Sequence, residues 1–170
     1  MLAGVILVDT NVILEAHRTG SWKTLAARHR LETVEDCVTE TQTGAQNRRS
    51  DQRIDEATLR GALRAVYAVS PLERAQAVLR DERLAMLDDG ERALWSHALG
   101  RTDAWVLCGP DAASLRIGVR LGLRDRLVAL EALLADVGFR PRTPLRRNYT
   151  KAWHAERIAM LAVEEGRGSA

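Results

Sequence analysis

The chain has 170 residues, 46% of them hydrophobic and 28% charged, and its formal net charge is +2. This length is enough to bury the core of one domain, the composition is ordinary for a globular protein, and the small net charge does not indicate a nucleic-acid binder. No stretch approaches the roughly 20 consecutive apolar residues that span a bilayer. Cys37 and Cys108 form no CxxC pair. We therefore expect a cytoplasmic protein without disulfides and without membrane contact.

Positive charge is concentrated in arginine, which outnumbers lysine 23 to 2. A guanidinium group binds phosphate through two parallel hydrogen bonds, whereas an ammonium group acts as a point charge. The base composition of the genome would explain the same enrichment without any function. The candidate nucleic-acid contacts are Arg48 and Arg49 in a polar loop, and Arg146 and Arg147 in a late basic cluster. That cluster comprises Arg140, Arg142, Arg146, Arg147, Lys151 and Arg157, with Glu156 as the single nearby acid.

The first forty residues alternate between strand and helix patterns. Residues 5–8 (VILV) predict a buried strand that ends at Asp9. A short helix over Val12 to Ala16 follows, and the next helix runs from Trp22 to about Arg30. We expect a short second strand around Thr33 to Asp36.

The middle of the chain is more polar. Glu40 is predicted to begin the helix after the second strand, and the helix runs into an exposed loop near Arg48 and Arg49. Leu59, Leu63 and Val66 keep helical spacing. The segment 70–87 predicts a helix capped by Ser70 with Pro71 at its first position. Four apolar residues share one face of that helix: Leu72, Ala75, Leu79 and Met86.

The second half repeats the alternation. A helix over 87–100 precedes an apolar strand over 104–109, and Asp111 opens the next helix. Residues 126–138 predict a brief extended piece and a helix, and after two prolines a final helix runs roughly from Tyr149 to Glu165. Apolar strands separated by helices predict an α/β fold, a three-layer αβα sandwich around a central parallel sheet. We assign residues 1–138 to this domain and residues 139–170 to a C-terminal helical extension.

Four acids are expected at one edge of this sheet. Asp9 and Asp111 follow two strands whose carboxyl ends point the same way, and Glu40 and Glu91 lie near helix starts. Converging carboxylates need a cation, and oxygen ligands without His or Cys suit Mg²⁺ or Mn²⁺. Asp9 could instead accept hydrogen bonds from backbone amides, and Glu91 and Asp111 could be first-turn residues favourable to the helix dipole. Neighbouring acids compete for two of the roles: Asp88 and Asp89 with Glu91, and Glu32, Glu35 and Asp36 with Glu40. Thr10 and Asn11 are expected to orient Asp9, and Glu15 is expected to be a solvated helix residue.

The order of these motifs resembles the PIN-domain family of metal-dependent nucleases. The resemblance is carried by "VILVDTNVILEA" at the start and by "LDDGERALWSHAL" and "WVLCGPDAASLRIGVRLGL" in the second half. It covers about residues 1 to 138, with 45–86 unassigned. The chain departs from the family in having Glu91 where the third acid is often Asp, and "CGPD" before the last acid.

The resemblance implies a PIN-like fold in which Asp9, Glu40, Glu91 and Asp111 hold a catalytic Mg²⁺ or Mn²⁺, with Thr10 and Asn11 supporting. It implies hydrolysis of single-stranded RNA, an antitoxin protein as a further partner if the chain is a toxin, and a homodimer. The alternative is a catalytically impaired PIN-like module that binds RNA or protein. Three other classes fit these residues less well. A receiver domain needs a Lys late in the sheet, and a dehalogenase-type phosphatase needs Asp where this chain has Asn11. A dinucleotide-binding enzyme needs a glycine-rich turn after the first strand, which this chain lacks.

Overall fold

The structure is a computed structural model that describes residues 4–43 and 53–168. Its strands follow the apolar runs of the sequence. The first predicted strand is observed with the predicted bounds, and the later apolar run forms a strand within 104–109. The five strands are Val5–Val8 (β1), Arg30–Val34 (β2), Ala65–Tyr67 (β3), Trp105–Cys108 (β4) and Leu127–Val128 (β5).

The five strands form one parallel sheet in the order β3-β2-β1-β4-β5. The predicted α/β class and its central parallel sheet are thus confirmed. The chain runs outward from β1 to β3 and then returns to place β4 beside β1, with Val8 opposite Cys108. The gap between β1 and β4 is therefore the point where the strand order reverses, and ligands of open parallel sheets bind at the carboxyl side of such a point.

Helices connect and cover the strands. Nine α-helices lie within the described residues, and short 3-10 turns occur at Glu82–Met86, Arg124–Arg126 and Arg147–Tyr149. The helices are Thr10–Arg18 (α1), Trp22–Arg28 (α2), Glu35–Thr43 (α3), Glu56–Ala62 (α4), Pro71–Arg80 (α5), Asp89–Gly100 (α6), Ala112–Arg120 (α7), Leu130–Asp136 (α8) and Lys151–Gly168 (α9).

The core is divided between the two faces of the sheet. Val5 and Leu7 pack in one hydrophobic cluster and Ile6 and Val8 in the other, because successive strand side chains point to opposite faces. The strand β4 is divided in the same way. Residues of α5, α6, α7 and α9 contribute to the first cluster, and residues of α1, α2, α4 and α8 to the second. Burial on both faces explains why β1 is apolar at every position.

Three local predictions were wrong. The second strand ends at Val34, and α3 begins at Glu35, so Glu40 lies inside the helix rather than at its start. Val66 belongs to an edge strand that pairs with β2 opposite Thr33, not to a helix. The helix α4 had already ended at Ala62, and its C-terminal flanking residue is extended.

The apolar face predicted for 70–87 does not enter the core. Ser70 forms the predicted cap of α5, with a reciprocal hydrogen bond from its backbone to Glu73. However, Asp81 ends α5 and caps a separate 3-10 turn, so the segment is not one continuous helix. Leu72, Leu79 and Met86 are 66%, 87% and 84% exposed, respectively.

The C-terminal extension packs against the rest of the chain, mainly through contacts between α9 and α7. Leu161 is buried in the first core cluster. Glu165 accepts hydrogen bonds from Arg83 at 2.9 Å and Arg120 at 2.8 Å, and also from Arg116. The division at residue 138 remains a prediction. Within the described part of the chain, no helix combines the length and hydrophobicity needed to cross a bilayer.

Candidate metal centre at the carboxyl edge of the sheet

Asp9 lies directly after β1 and is the N-cap of α1. Its Oδ1 accepts a hydrogen bond from the backbone N–H of Val12 at 2.7 Å. Its Oδ2 is buried and has no hydrogen-bond partner. A Cβ at Gly109 would lie 3.1 Å from this oxygen, so the turn after β4 approaches it closely. Burial raises the pKa of Asp9 to about 7, and the charges of nearby carboxylates add to the shift.

Glu40 joins three helices through its carboxylate. Its Oε2 accepts a hydrogen bond from Thr10 Oγ1 at 2.6 Å, and its Oε1 accepts one from the backbone N–H of Gly90 at 2.9 Å. A Cβ at position 90 would lie 2.5 Å from Oε2, so a larger residue there would displace the Glu40 carboxylate. Thr10 thus holds Glu40, although the sequence predicted that it would orient Asp9. Asn11 is exposed, and its backbone carbonyl accepts a hydrogen bond from Tyr149.

Glu91 lies in the first turn of α6 and is buried. Its Oε1 has no hydrogen-bond partner. Burial raises the pKa of Glu91 to about 9, and the charges of Asp111 and Asp88 contribute next. Asp88 is the N-cap of α6 and accepts a hydrogen bond from the N–H of Glu91 at 2.8 Å. Sequence reasoning treated Asp88 only as a competitor of Glu91, yet its charge acts on both buried acids.

Asp111 is the N-cap of α7. Its Oδ1 accepts hydrogen bonds from the N–H groups of Ala113 at 2.7 Å and Ser114 at 3.3 Å. The charge of Asp111 raises the pKa of both Asp9 and Glu91. The structure therefore brings the four predicted acids to the same edge of the sheet, between β1 and β4.

In this structure the four carboxylates do not surround a common position for a metal ion. Among residues 4–43 and 53–166, no three side chains of His, Cys, Asp or Glu form a group that could hold a metal ion as they stand. Hydrogen bonds from backbone N–H groups occupy one oxygen each of Asp9, Glu40 and Asp111 instead. The donor chemistry nevertheless fits a hard cation, since every candidate ligand is a carboxylate oxygen and two of these oxygens are buried without a partner.

Two of the four arginines predicted to contact nucleic acid lie within the described residues. Arg48 and Arg49 lie outside the described residues. Arg146 and Arg147 are both mostly exposed. The backbone N–H of Arg146 donates to Glu15 at 2.8 Å, which attaches the start of the late basic cluster to α1.

Glu15 was predicted to be solvated, and this was wrong. It is 1% exposed and accepts hydrogen bonds from Arg18 at 2.8 and 2.5 Å. Burial tends to raise the pKa of Glu15, but these bonds and the one from Arg146 outweigh it and lower the pKa. The Glu15–Arg18 spacing of three residues was the sequence signal that could have identified the pair.

Comparisons of the chain with protein-family models, with curated proteins and with solved structures gave no match. The fold and the acidic edge identify only a structural class: an α/β protein with a parallel sheet and buried acids at the point where the strand order reverses. The chemistry of that edge is therefore the basis for assigning a function.

Proposed function

We propose that the protein is a metal-dependent endoribonuclease that hydrolyses single-stranded RNA. The ligands would be Asp9, Glu40, Glu91 and Asp111, as the resemblance to PIN-domain nucleases implies, and the ion Mg²⁺ or Mn²⁺. The observation that carries the proposal is the pair of buried, partnerless carboxylate oxygens, Asp9 Oδ2 and Glu91 Oε1, at one edge of the sheet.

The electrostatics of the edge support a cation. An ionised carboxylate that is buried without a partner is costly, and neighbouring carboxylates increase that cost. The raised pKa values of Asp9 and Glu91 express this cost. A bound divalent ion would stabilise the ionised forms, and it would supply an acidified water and neutralise charge on the phosphate. The chain's own part is to hold the oxygens on rigid strand ends and helix caps.

The alternative is a catalytically impaired PIN-like module that binds RNA or protein. The observation that favours it is that the described residues contain no ready metal-binding group. In that case Asp9 and Asp111 would act only as caps of α1 and α7, and Glu40 would only join α3 to α1 and α6.

The proposed partners follow from exposed side chains. Arg146 and Arg147 lie 3.6 Å from Glu15 and 3.5 Å from Glu156, respectively, and most of each side chain remains exposed to phosphate groups. The exposed apolar residues Leu72, Leu79 and Met86 support an interface, either in a homodimer or with an antitoxin protein. A cytoplasmic location remains part of the proposal.

The direct test is cleavage of labelled single-stranded RNA in Mn²⁺, in Mg²⁺ and in EDTA. We expect metal-dependent cleavage by the wild type and a loss of at least about 100-fold in Asp9→Asn and Glu91→Gln, since each removes a charged ligand. Asp125→Asn is the matched control, because Asp125 is exposed and precedes β5 at the opposite end of the sheet. Intact RNA in both metals would favour the binding module.

A further inference from the structure

A cavity of about 760 Å³ lies between α8 and the segment that connects α8 to α9. Its volume falls within the range of about 300 to 1,000 Å³ that small-molecule sites occupy. The residues that matter for its chemistry are Glu131, Phe139, Arg140, Pro141 and Lys151.

The cavity is linked to the acidic edge through Tyr149, which precedes two of its lining residues. Glu131 lies in the first turn of α8, which follows the carboxyl end of β5. Thr150 and Lys151 form another part of the wall. The preceding residue, Tyr149, donates a hydrogen bond from its hydroxyl to the carbonyl of Asn11 at 3.2 Å. Since Asn11 is two residues after Asp9, this hydrogen bond links one wall of the cavity to the acidic edge.

The wall of the cavity combines an aromatic ring with positive charge. Phe139 is half-buried, and Arg140 and Lys151 are exposed. The segment 138–151 contains five basic residues and no acid. The one acid of the lining, Glu131, accepts a hydrogen bond from the backbone N–H of Lys151 at 2.6 Å. The cavity therefore suits a ligand with a flat apolar part and negative charge at its rim.

We propose that this cavity receives one unstacked nucleotide of single-stranded RNA, adjacent to the phosphate presented to the acidic edge. Phe139 contacts the base, and Arg140 and Lys151 contact the flanking phosphates. Sequence-tolerant binding of single strands combines these two features, a basic surface and an aromatic side chain against the base. A base in a duplex is paired and stacked, so duplex RNA does not enter. This inference rests on the proposed function, since it takes RNA as the ligand of the edge.

The test separates binding from cleavage. Fluorescence anisotropy measures the affinity of a labelled 12-nucleotide single-stranded RNA for Asp9→Asn protein in EDTA, where no cutting occurs. Adding Phe139→Leu should weaken binding about 5- to 100-fold, the range for loss of one base–aromatic contact. Leucine keeps apolar packing in the second core cluster, and thermal melting checks that the variant folds. Val163→Ala, an exposed apolar residue of α9, is the control and should bind like the parent.

A second measurement tests the contribution of the Arg140 charge to RNA binding. Arg140→Ala should reduce the dependence of log Kd on log salt by about one ion, whereas Arg124→Ala, exposed at the amino end of β5, should leave it unchanged. Duplex RNA of the same sequence should not compete.

The inference is overturned if a folded Phe139→Leu protein and Arg140→Ala both bind as the parent does, if duplex RNA competes equally, or if the parent binds no RNA. Its failure is distinguishable from failure of the nuclease proposal. Metal-dependent cutting with unchanged KM in Phe139→Leu rejects only the cavity. Binding that depends on Phe139, with no cutting in any metal, supports the cavity and rejects the nuclease.

Discussion

At the scale of single residues, Asp9 and Glu91 combine burial with an oxygen that accepts no hydrogen bond. The pKa of Asp9 rises from 3.8 to about 7 because burial disfavours its charged form. Between pH 3.8 and about pH 7, the Asp9 carboxyl group is therefore ionised in the unfolded chain and protonated in the folded protein. The contribution of Asp9 to stability is therefore fully present below about pH 4 and is lost as the pH rises through 7.

Asp9→Asn should make the metal-free protein more stable at pH 8. Asparagine removes the buried charge and keeps an oxygen that can cap α1 through Val12. Urea unfolding in EDTA should show a gain on the order of 2 to 4 kcal/mol at pH 8 that shrinks near pH 4, where the wild-type carboxyl is protonated. Asp125→Asn should change little at either pH. A gain for Asp9→Asn that is equal at pH 4 and pH 8 would contradict the proposed cause.

At the scale of helices and strands, the acidic edge depends on how α1, α3 and α6 meet. The Glu40 carboxylate bridges Thr10 of α1 and Gly90 of α6 from its own position in α3. Backbone and side chain thus approach so closely at position 90 that no Cβ fits without a shift.

Gly90→Ala should displace Glu40 and cost about 1 to 3 kcal/mol of the free energy of unfolding, the usual range for an overpacked site. RNA cleavage should fall with it if Glu40 serves the metal. Gly61→Ala in α4 is the matched control, because a Cβ there meets nothing within 4 Å. That control should be neutral or gain about 0.5 to 1 kcal/mol from helix propensity. Equal stability of the two variants in chemical denaturation would show that the Glu40 hydrogen bonds to Thr10 and Gly90 contribute little to stability.

The helix α9 belongs to the core through Leu161. Leu161→Ala should cost about 2 to 5 kcal/mol because it leaves a cavity between α9 and the first core cluster. Met160→Ala changes the neighbouring residue, which is nearly half exposed, and should stay within about 0.5 kcal/mol of the wild type. Thermal or urea unfolding distinguishes the two. A neutral Leu161→Ala would mean that α9 is only loosely attached.

At the scale of the whole molecule, the sequence predicts the centre of the fold better than its periphery. Continuous apolar runs identify β1 and β4 because both faces of the central strands are buried. The edge strand β3 has three half-buried residues, and a pattern that short carries no period. The strand order is a matter of tertiary packing, which local pattern does not encode.

The sequence likewise predicts only part of the acidic site. Asp9 and Asp111 could be chosen because each follows an apolar strand, and these strands are neighbours. The pairing of Glu15 with Arg18 follows from their spacing, but the contact of Glu15 with Arg146 and the role of Asp88 do not, since they depend on elements distant in the sequence. The exposure of Leu79 was missed because an apolar stripe does not reveal which surface covers it.

The proposed function depends on binding of a divalent cation by the carboxylates at the β1–β4 edge. Anomalous diffraction from crystals soaked in Mn²⁺ tests it most directly. We expect a strong peak within coordination distance of Asp9 Oδ2 and of at least one further carboxylate among Glu40, Glu91 and Asp111. Asp9→Asn crystals should show no such peak. Wild-type crystals without a peak at this edge, with Asp9 Oδ2 and Glu91 Oε1 still unpartnered, would contradict it.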